Sequence, residues 1–426
     1  MSEIKANDPG LQSWLEVHPE SDFPVQNIPF GSGSIDKEGP VPCSRIGDNV
    51  ISLAALADHG YFDDLGIEDL GVFYEPFLNP MISLGKEVTG KIRERISEIF
   101  RKGNNSLAGN EEALKAVVSP VQDVTMHMPV HVGDYTDFYA SEQHATNVGT
   151  MFRDPENALL PNWKHIPVGY HGRASSIVVS GTNIHRPKGQ TKPDSADSPV
   201  FGPSRLVDFE LEMAFVTGKA NPLGDSISTD RAEDYIFGLV LFNDLSARDM
   251  QKWEYVPLGP FLAKNFGSVI SPWIITLEAL EPFRTDGPVQ EPEVLPYLKY
   301  SGKKNYDLEL EVFIQPENRE PVKVCHSNFK YMYWNMAQQL AHHTVNGCNI
   351  NVGDMYASGT ISGPEPGSYG SMLEIAWKGT KPFKMPDGSE RKFILDNDTV
   401  IMRGYGKKNG VRIGFGESVT KILPAK

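Results

Sequence analysis

Glycine and proline punctuate this chain from end to end, with 39 glycines and 32 prolines in 426 residues, about a sixth of the sequence against roughly 12% in an average protein. They follow no period. Each interrupts a helix or favours a turn, which disfavours long helical bundles and favours many short strands joined by tight connections. Hydrophobic residues make up 40% and charged residues 22%, so the chain has the apolar content of an ordinary globular protein. At this length two domains are expected.

Lysine and arginine number 40 against 55 acids, a formal charge of −15. Such a surface repels polyanions, which argues against nucleic acid and anionic membranes as partners. Cys43, Cys325 and Cys348 form no CxxC or other metal spacing, and an odd count fits free thiols in a reducing compartment. No basic amino-terminal segment leads into an apolar run, and the longest charge-free stretch, Tyr331 to Gly353, carries Asn, Gln and His throughout. Neither a signal peptide nor a membrane span is expected, and the expected location is cytoplasmic.

Residues 1–125 read as one domain, with turns through Phe30-Gly-Ser-Gly-Ser34 and Pro40-Val-Pro42, a short strand at Val50 to Leu53, and an exposed amphipathic helix from about Ile82 to Phe100 in which Val88, Ile92, Ile96 and Ile99 share a face. The prolines at 120 and 129 mark the boundary to a second domain, 126–426. There the expected strands are Ser175 to Ser180, Tyr235 to Phe242 and Leu308 to Ile314. One helix is expected from Tyr333 to Thr344, stopped by Asn346-Gly347.

Val207 to Phe215 is the most informative stretch. A strand's period of two puts Val207, Phe209, Leu211, Met213 and Phe215 on one face and Asp208, Glu210 and Glu212 on the other. Adjacent carboxylates repel, and a hard divalent cation would convert that repulsion into coordination; a solvated acidic face fits the same pattern. Asp244 closes the apolar run Phe237 to Phe242, and strand ends are where sites are usually built. Ser246-Ala-Arg-Asp249 has capping-box spacing, which would put Arg248 and Gln251 on one face of a helical turn with Tyr255 a turn further on; taken alone, Arg248 and Asp249 read as a surface ion pair. Lys264 lies among small and apolar residues. Asp137, Tyr139 and His144 crowd into eight residues with little apolar content around them. Ala357 to Gly363 is a small-residue turn, and Glu374 falls in an apolar stretch read as a strand, where a buried carboxylate requires a partner such as histidine. There is no P-loop, no GxGxxG after a strand, no GxSxG and no HExxH, so phosphate cradling, dinucleotide binding, a serine elbow and a zincin site lack support.

Several long segments together resemble the fumarylacetoacetate hydrolase family: Asp134-Tyr-Thr-Asp-Phe-Tyr139, Gln143-His-Ala-Thr-Asn-Val-Gly149, Pro167 to Ser176, Glu210-Leu-Glu-Met-Ala-Phe215, Asn243-Asp244, Ser246-Ala-Arg-Asp249, Trp253 to Phe261 and Ser358-Gly-Thr-Ile-Ser-Gly363. The resemblance implies a mainly β fold with some α, in which a small SH3-like barrel precedes a larger mixed β-sandwich or β-roll domain. It also implies a homodimer and hydrolysis of 4-fumarylacetoacetate to fumarate and acetoacetate, the last step of tyrosine and phenylalanine breakdown. Carried over by position, it makes Asp137, Glu210, Glu212 and Asp244 calcium ligands, and His144 the base that activates water, oriented by Glu374. Tyr139, Arg153, Tyr170, Gln251, Tyr255 and Thr360 match substrate contacts, and Arg248, Gln251 and Lys264 match groups that stabilise oxyanion charge. Lys264 and Ser268 match a second, magnesium site, where an ammonium cannot be a ligand and the contact must use carbonyl oxygen.

Two positions depart from that pattern, Leu245 where Trp is frequent and Ser268 where Thr is frequent. The second is expected to be harmless if only backbone is used. An acylpyruvate hydrolase or decarboxylase of the wider superfamily would share the acids but lacks reason for the long first domain and the His144 motif. A metal-binding dicarboxylate receptor without catalysis would have no need of His144 and Glu374.

Overall fold

The computed structural model describes residues 4–35 and 39–426. The first lobe is built on a five-stranded antiparallel sheet in the order Val118–Pro120, Asn49–Ser52, Val41–Ile46, Gly31–Ile35, Val124–His127, curled into a half-barrel. The glycine-rich segment read as a turn is its fourth strand. Glycine serves packing there, since a Cβ on Gly31 would lie 2.8 Å from the Trp273 ring and one on Gly33 2.8 Å from Val124. The expected amphipathic helix runs Lys86–Phe100 and buries Ile92, Ile96, Ile99 and Phe100 against the sheet lobe's core. Residues 83–85 separate it from a single turn at Asn79–Ile82, so it begins later than periodicity alone suggests.

The second lobe is built on two large sheets, with four two-stranded ladders beside them among the described residues. One runs Gly169–His171, Tyr135–Phe138, Met355–Ala357, Leu211–Thr217, Ile236–Asp244, Ser268–Ile270, Ile177–Val179, with Ile275–Thr276 also paired to Ile236–Asp244. It is mixed: the pairs Tyr135–Phe138 with Met355–Ala357 and Ser268–Ile270 with Ile177–Val179 are parallel, the others antiparallel. The other runs Val322–Asn328, Glu309–Gln315, Thr399–Lys408, Val411–Leu423, Ile184–His185. Glu309–Gln315 alternates buried and half-buried residues as expected of a one-sided strand, whereas Ile236–Asp244, with the second sheet packed across one face, is buried at every position and so is covered on both faces. Gly404 lets the sheets close up: a Cβ there would meet Leu241 at 2.9 Å and Leu310 at 3.0 Å.

The helix Met336–Thr344 starts at a capping box formed by Asn335 and Gln338. The lobes share one core. Phe30 bridges to Ile274 through paired backbone hydrogen bonds and packs on Phe237 at 5.8 Å, and Phe23 meets Trp273 edge-on at 6.1 Å. No helix among the described residues is long and apolar enough to cross a membrane.

Candidate active site

The stretch 207–215 is not one strand. Val207–Asp208 pairs with Ser246–Ala247, and Leu211–Thr217 pairs with Ile236–Asp244. Both faces are covered, so Asp208, Glu210 and Glu212 are buried and the solvated acidic face is excluded. The break at 209–210 separates the three acids. Glu210 and Glu212 meet Asp137 and Asp244 in a cluster whose ligand oxygens all lie within 4.8 Å of one another, while Asp208 turns to other partners. Register supplies the long-range members: Asp137 pairs with Ala357, whose strand lies beside Leu211–Thr217, and Asp244 ends the strand on the other side.

Lys264 is buried against this cluster, its Nζ 2.5 Å from both Glu210 Oε2 and Asp244 Oδ2. Ser268 Oγ donates to Asp244 Oδ1 at 2.8 Å, so its side chain has a partner of its own and its carbonyl oxygen is a separate group. Leu245 is fully buried beside Asp244. Arg248 is not a surface partner of Asp249. It is buried, with Nε 2.9 Å from Asp208 Oδ2 and Nη1 2.7 Å from Glu210 Oε1 and 3.1 Å from Gln251 Oε1, which confirms the shared face with Gln251. Ser246 belongs to a strand and does not cap the helix Arg248–Glu254; Asp249 instead accepts from Ser204 Oγ and the Arg205 amide.

Burial opposes ionisation of all four acids, and the neighbours decide the outcome. Lys264 and Arg248 hold Glu210 well below the ordinary carboxylate range despite its burial. Asp137 and Glu212 are pushed far above it, by burial first and then by the surrounding carboxylates. Asp137 Oδ1 and Glu212 Oε1 are buried with no hydrogen-bond partner among the described residues. Two orphaned carboxylate oxygens beside two further carboxylates are what a hard divalent cation would satisfy, so the residues fit such an ion.

His144 lies on the helix Glu142–Phe152, whose cap Ser141 accepts from the His144 amide. Its Nδ1 is 2.7 Å from Glu374 Oε2. Glu374 sits in the one-turn helix Met372–Ile375, not in a strand; Ser371 caps that turn. Three groups that sequence reading missed complete its shell: Ser362 Oγ at 2.9 Å and Ser371 Oγ at 2.8 Å on Oε2, and Asn147 Nδ2 at 2.9 Å on Oε1. Only the Ser371-x-x-Glu374 spacing offered a signal, as a cap. Burial alone would raise this carboxyl, but His144 and these donors hold it below its ordinary value. A carboxylate on Nδ1 fixes the tautomer that leaves Nε2 free to accept a proton.

Tyr139 stands edge-on to His144 at 5.3 Å between ring centres. Tyr170 lies opposite Asp137 in the sheet, and Thr360 follows Gly359, whose amide donates to Glu212 Oε2 at 3.0 Å. Thr360 Oγ1 and Arg248 Nη2 are buried without partners among the described residues. Two expected contacts sit outside this buried group: Arg153 is exposed and donates to the Ala158 carbonyl, and Tyr255 is exposed at the end of Arg248–Glu254. From Trp253 to Leu262 a run of exposed apolar side chains follows, its return tied down by Glu254 Oε1, which accepts from the amides of Phe261 and Ala263.

An imidazole fixed by a buried carboxylate, beside an all-oxygen acidic cluster with its own ammonium and guanidinium, is equipment for activating water against a carbonyl. Comparison with known proteins gives the family. Residues 134–421 match the model of the fumarylacetoacetate hydrolase C-terminal domain, and residues 26–129 that of the fumarylacetoacetase N-terminal domain. A fumarylacetoacetase of Dictyostelium discoideum is 53% identical, covering 97% of this chain and 98% of its own; that of Homo sapiens is 50% identical over 97% and 99%, and that of Arabidopsis thaliana 48% over 97% and 99%. The solved structure of a fumarylacetoacetate hydrolase from Exiguobacterium antarcticum shares the fold, with a TM-score of 0.52 and 15% identity over 94% of this chain and 100% of that one. The chain belongs to the fumarylacetoacetate hydrolase family, and it is a hydrolase acting on carbon–carbon bonds.

Proposed function

We propose that this enzyme hydrolyses 4-fumarylacetoacetate to fumarate and acetoacetate, the closing step of tyrosine and phenylalanine breakdown. The observation that carries the proposal is the near-full-length match to curated fumarylacetoacetases at about half identity. The site chemistry supports it. His144 Nε2 takes a proton from water, and the hydroxide adds to the carbonyl that becomes a carboxylate of fumarate. The bond to the adjacent carbon then breaks, leaving an acetoacetate carbanion that takes the proton back from the His144 imidazolium, so the base is restored. Glu374 stabilises the imidazolium formed in the first step. Arg248, Gln251 and Lys264 stand where oxyanion charge develops, and Tyr139, Tyr170 and Thr360 line the substrate's place, with Arg153 and Tyr255 at its rim.

A divalent cation, calcium by resemblance, held by Asp137, Glu210, Glu212 and Asp244 would supply Lewis-acid polarisation of the β-diketone. The magnesium reading rests on resemblance, and would use carbonyl oxygens of Lys264 and Ser268, because their side chains are both directed at Asp244. The exposed apolar run at Trp253, Tyr255, Val256, Leu258, Phe261 and Leu262 supports a homodimer formed beside the site. Three cysteines without disulfides support a cytoplasmic location.

The test follows loss of fumarylacetoacetate absorbance with and without a chelator. Turnover is expected with metal, and His144→Ala is expected to lower it by roughly 10²- to 10⁴-fold at unchanged metal content. Appreciable hydrolysis by the folded variant removes His144 as the base, and no hydrolysis by the metal-loaded parent removes the substrate assignment.

A further inference from the structure

Asp208 is fully buried, and none of the steps above employs it. Its two oxygens collect three donors from two distant parts of the chain. Oδ1 accepts from the Met372 amide at 2.7 Å; Oδ2 accepts from the Leu373 amide at 3.0 Å and from Arg248 Nε at 2.9 Å. The two amides open the single turn that carries Glu374. Arg248 begins the helix Arg248–Glu254 directly after the short ladder that pairs Asp208 with Ser246, and its amide donates to the Leu206 carbonyl at 2.9 Å.

The residue therefore holds two functional arms with one side chain. On one side lies Glu374, whose position sets the ring of His144. On the other lies Arg248, which reaches Glu210 and Gln251 with Nη1 and leaves Nη2 buried with no partner among the described residues. We propose that Asp208 is a positioning residue that locks the water-activating arm to the oxyanion arm. This inference rests on the roles given above to His144, Glu374 and Arg248.

Chemistry makes the site specific for a carboxylate. All three neighbours are donors and one carries a charge, so the residue must present acceptors only. Asparagine has the right size, but its NH₂ would face a donor whichever way the amide turned. It would also leave the buried Arg248 guanidinium without one of its two countercharges. Glutamate would carry the charge on a longer stem and displace the turn that bears Glu374.

The experiment compares Asp208→Asn, Arg248→Gln, Glu374→Gln and the two double variants with Asp208→Asn, in the metal-loaded full chain. It records kcat, KM, thermal unfolding and the downfield NMR signal of the proton between His144 Nδ1 and Glu374. Asp208→Asn is expected to lower kcat by roughly 10- to 100-fold, the usual cost of removing a group that orients a catalytic one, with KM changed less. The effect should largely vanish when Arg248→Gln or Glu374→Gln is already present, because the arm it positions is gone. The downfield signal should shift. Full additivity with both partners and an unmoved signal would mean that Asp208 only supports the fold, and would overturn the inference. Arg248→Lys covers the case in which Asp208→Asn fails to fold: it removes the Nε donor while keeping charge, and it must move the His144 signal through Asp208 although Arg248 has no hydrogen bond to His144 or Glu374. An unmoved signal there also refutes the coupling. Wild-type turnover in Arg248→Gln and Glu374→Gln would instead refute the roles on which the inference stands.

Discussion

Gly149→Ala tests whether the site depends on one close approach of backbone. Gly149 lies within Glu142–Phe152, five residues after His144, and a Cβ there would sit 1.9 Å from the Ala158 carbonyl oxygen and 2.5 Å from its carbon. In a helix interior Gly→Ala normally stabilises by about 1 kcal/mol. Here an ordinary contact of about 3.5 Å requires the helix and the 153–158 segment to part by more than an ångström. Overpacking of this kind costs about 1–3 kcal/mol, enough to cancel or reverse the helical gain.

The chemistry should suffer more than the stability. If the helix moves, His144 leaves its alignment with Glu374, and misplacement by about 1 Å is worth roughly 10²-fold in rate. If the segment moves instead, the Ala158 carbonyl that accepts two hydrogen bonds from Arg153 is displaced, and KM rises while kcat is kept. Steady-state kinetics separates the two, and a thermal melt gives the sign of the stability change. A variant that is both more stable than the parent and fully active would refute this reasoning, since it would mean that the approach at Gly149 is free to relax.

The acidic cluster predicts a stabilising response to metal. Calcium at 100 times its dissociation constant should add about 2.7 kcal/mol, visible as a rise in melting temperature that chelator reverses and that Asp137→Asn/Glu212→Gln lacks; an equal rise in the double variant would place the ion elsewhere. Glu374 predicts a dependence on acid. Its folded pKa is depressed below the ordinary 4.5, so its contribution is full above that value and is lost as pH falls through the folded one. Denaturation profiles at pH 6 and in the acid range below 4.5 should show the parent losing more stability than Glu374→Gln, and parallel losses would contradict the sign.

Much of the fold was legible because local pattern and tertiary environment agree. Glu309–Gln315 alternates as its one-sided burial demands, and the helix expected from Tyr333 to Thr344 is present as Met336–Thr344, begun three residues later at the Asn335 cap. Reading failed where packing, not propensity, chose the residue. Gly31 and Gly33 resemble turn residues but are small because a tryptophan ring and a valine press on the strand. Period-two arithmetic grouped Asp208 with Glu210 and Glu212, since nothing local announces the change of partner strand at 209–210. Glu374 was visible as an acid needing a partner, whereas Asn147 and Ser362 form no pattern with it in one dimension. The resemblance to a family supplied what spacing lacked: that residues 137, 210, 212 and 244, far apart in the chain, come together.

The continuous core beneath the two lobes ties the amount of enzyme to residues far from its chemistry. Phe23, Phe30, Phe237, Trp273 and Ile274 pack across the junction, so neither lobe has a sealed apolar surface by itself. Removal of the first lobe would expose that surface and yield an aggregating remnant, not a minimal catalyst. Substitutions in the half-barrel or in Lys86–Phe100 would accordingly leave the turnover number of each surviving molecule intact while fewer molecules survive, a loss read in cellular abundance and half-life.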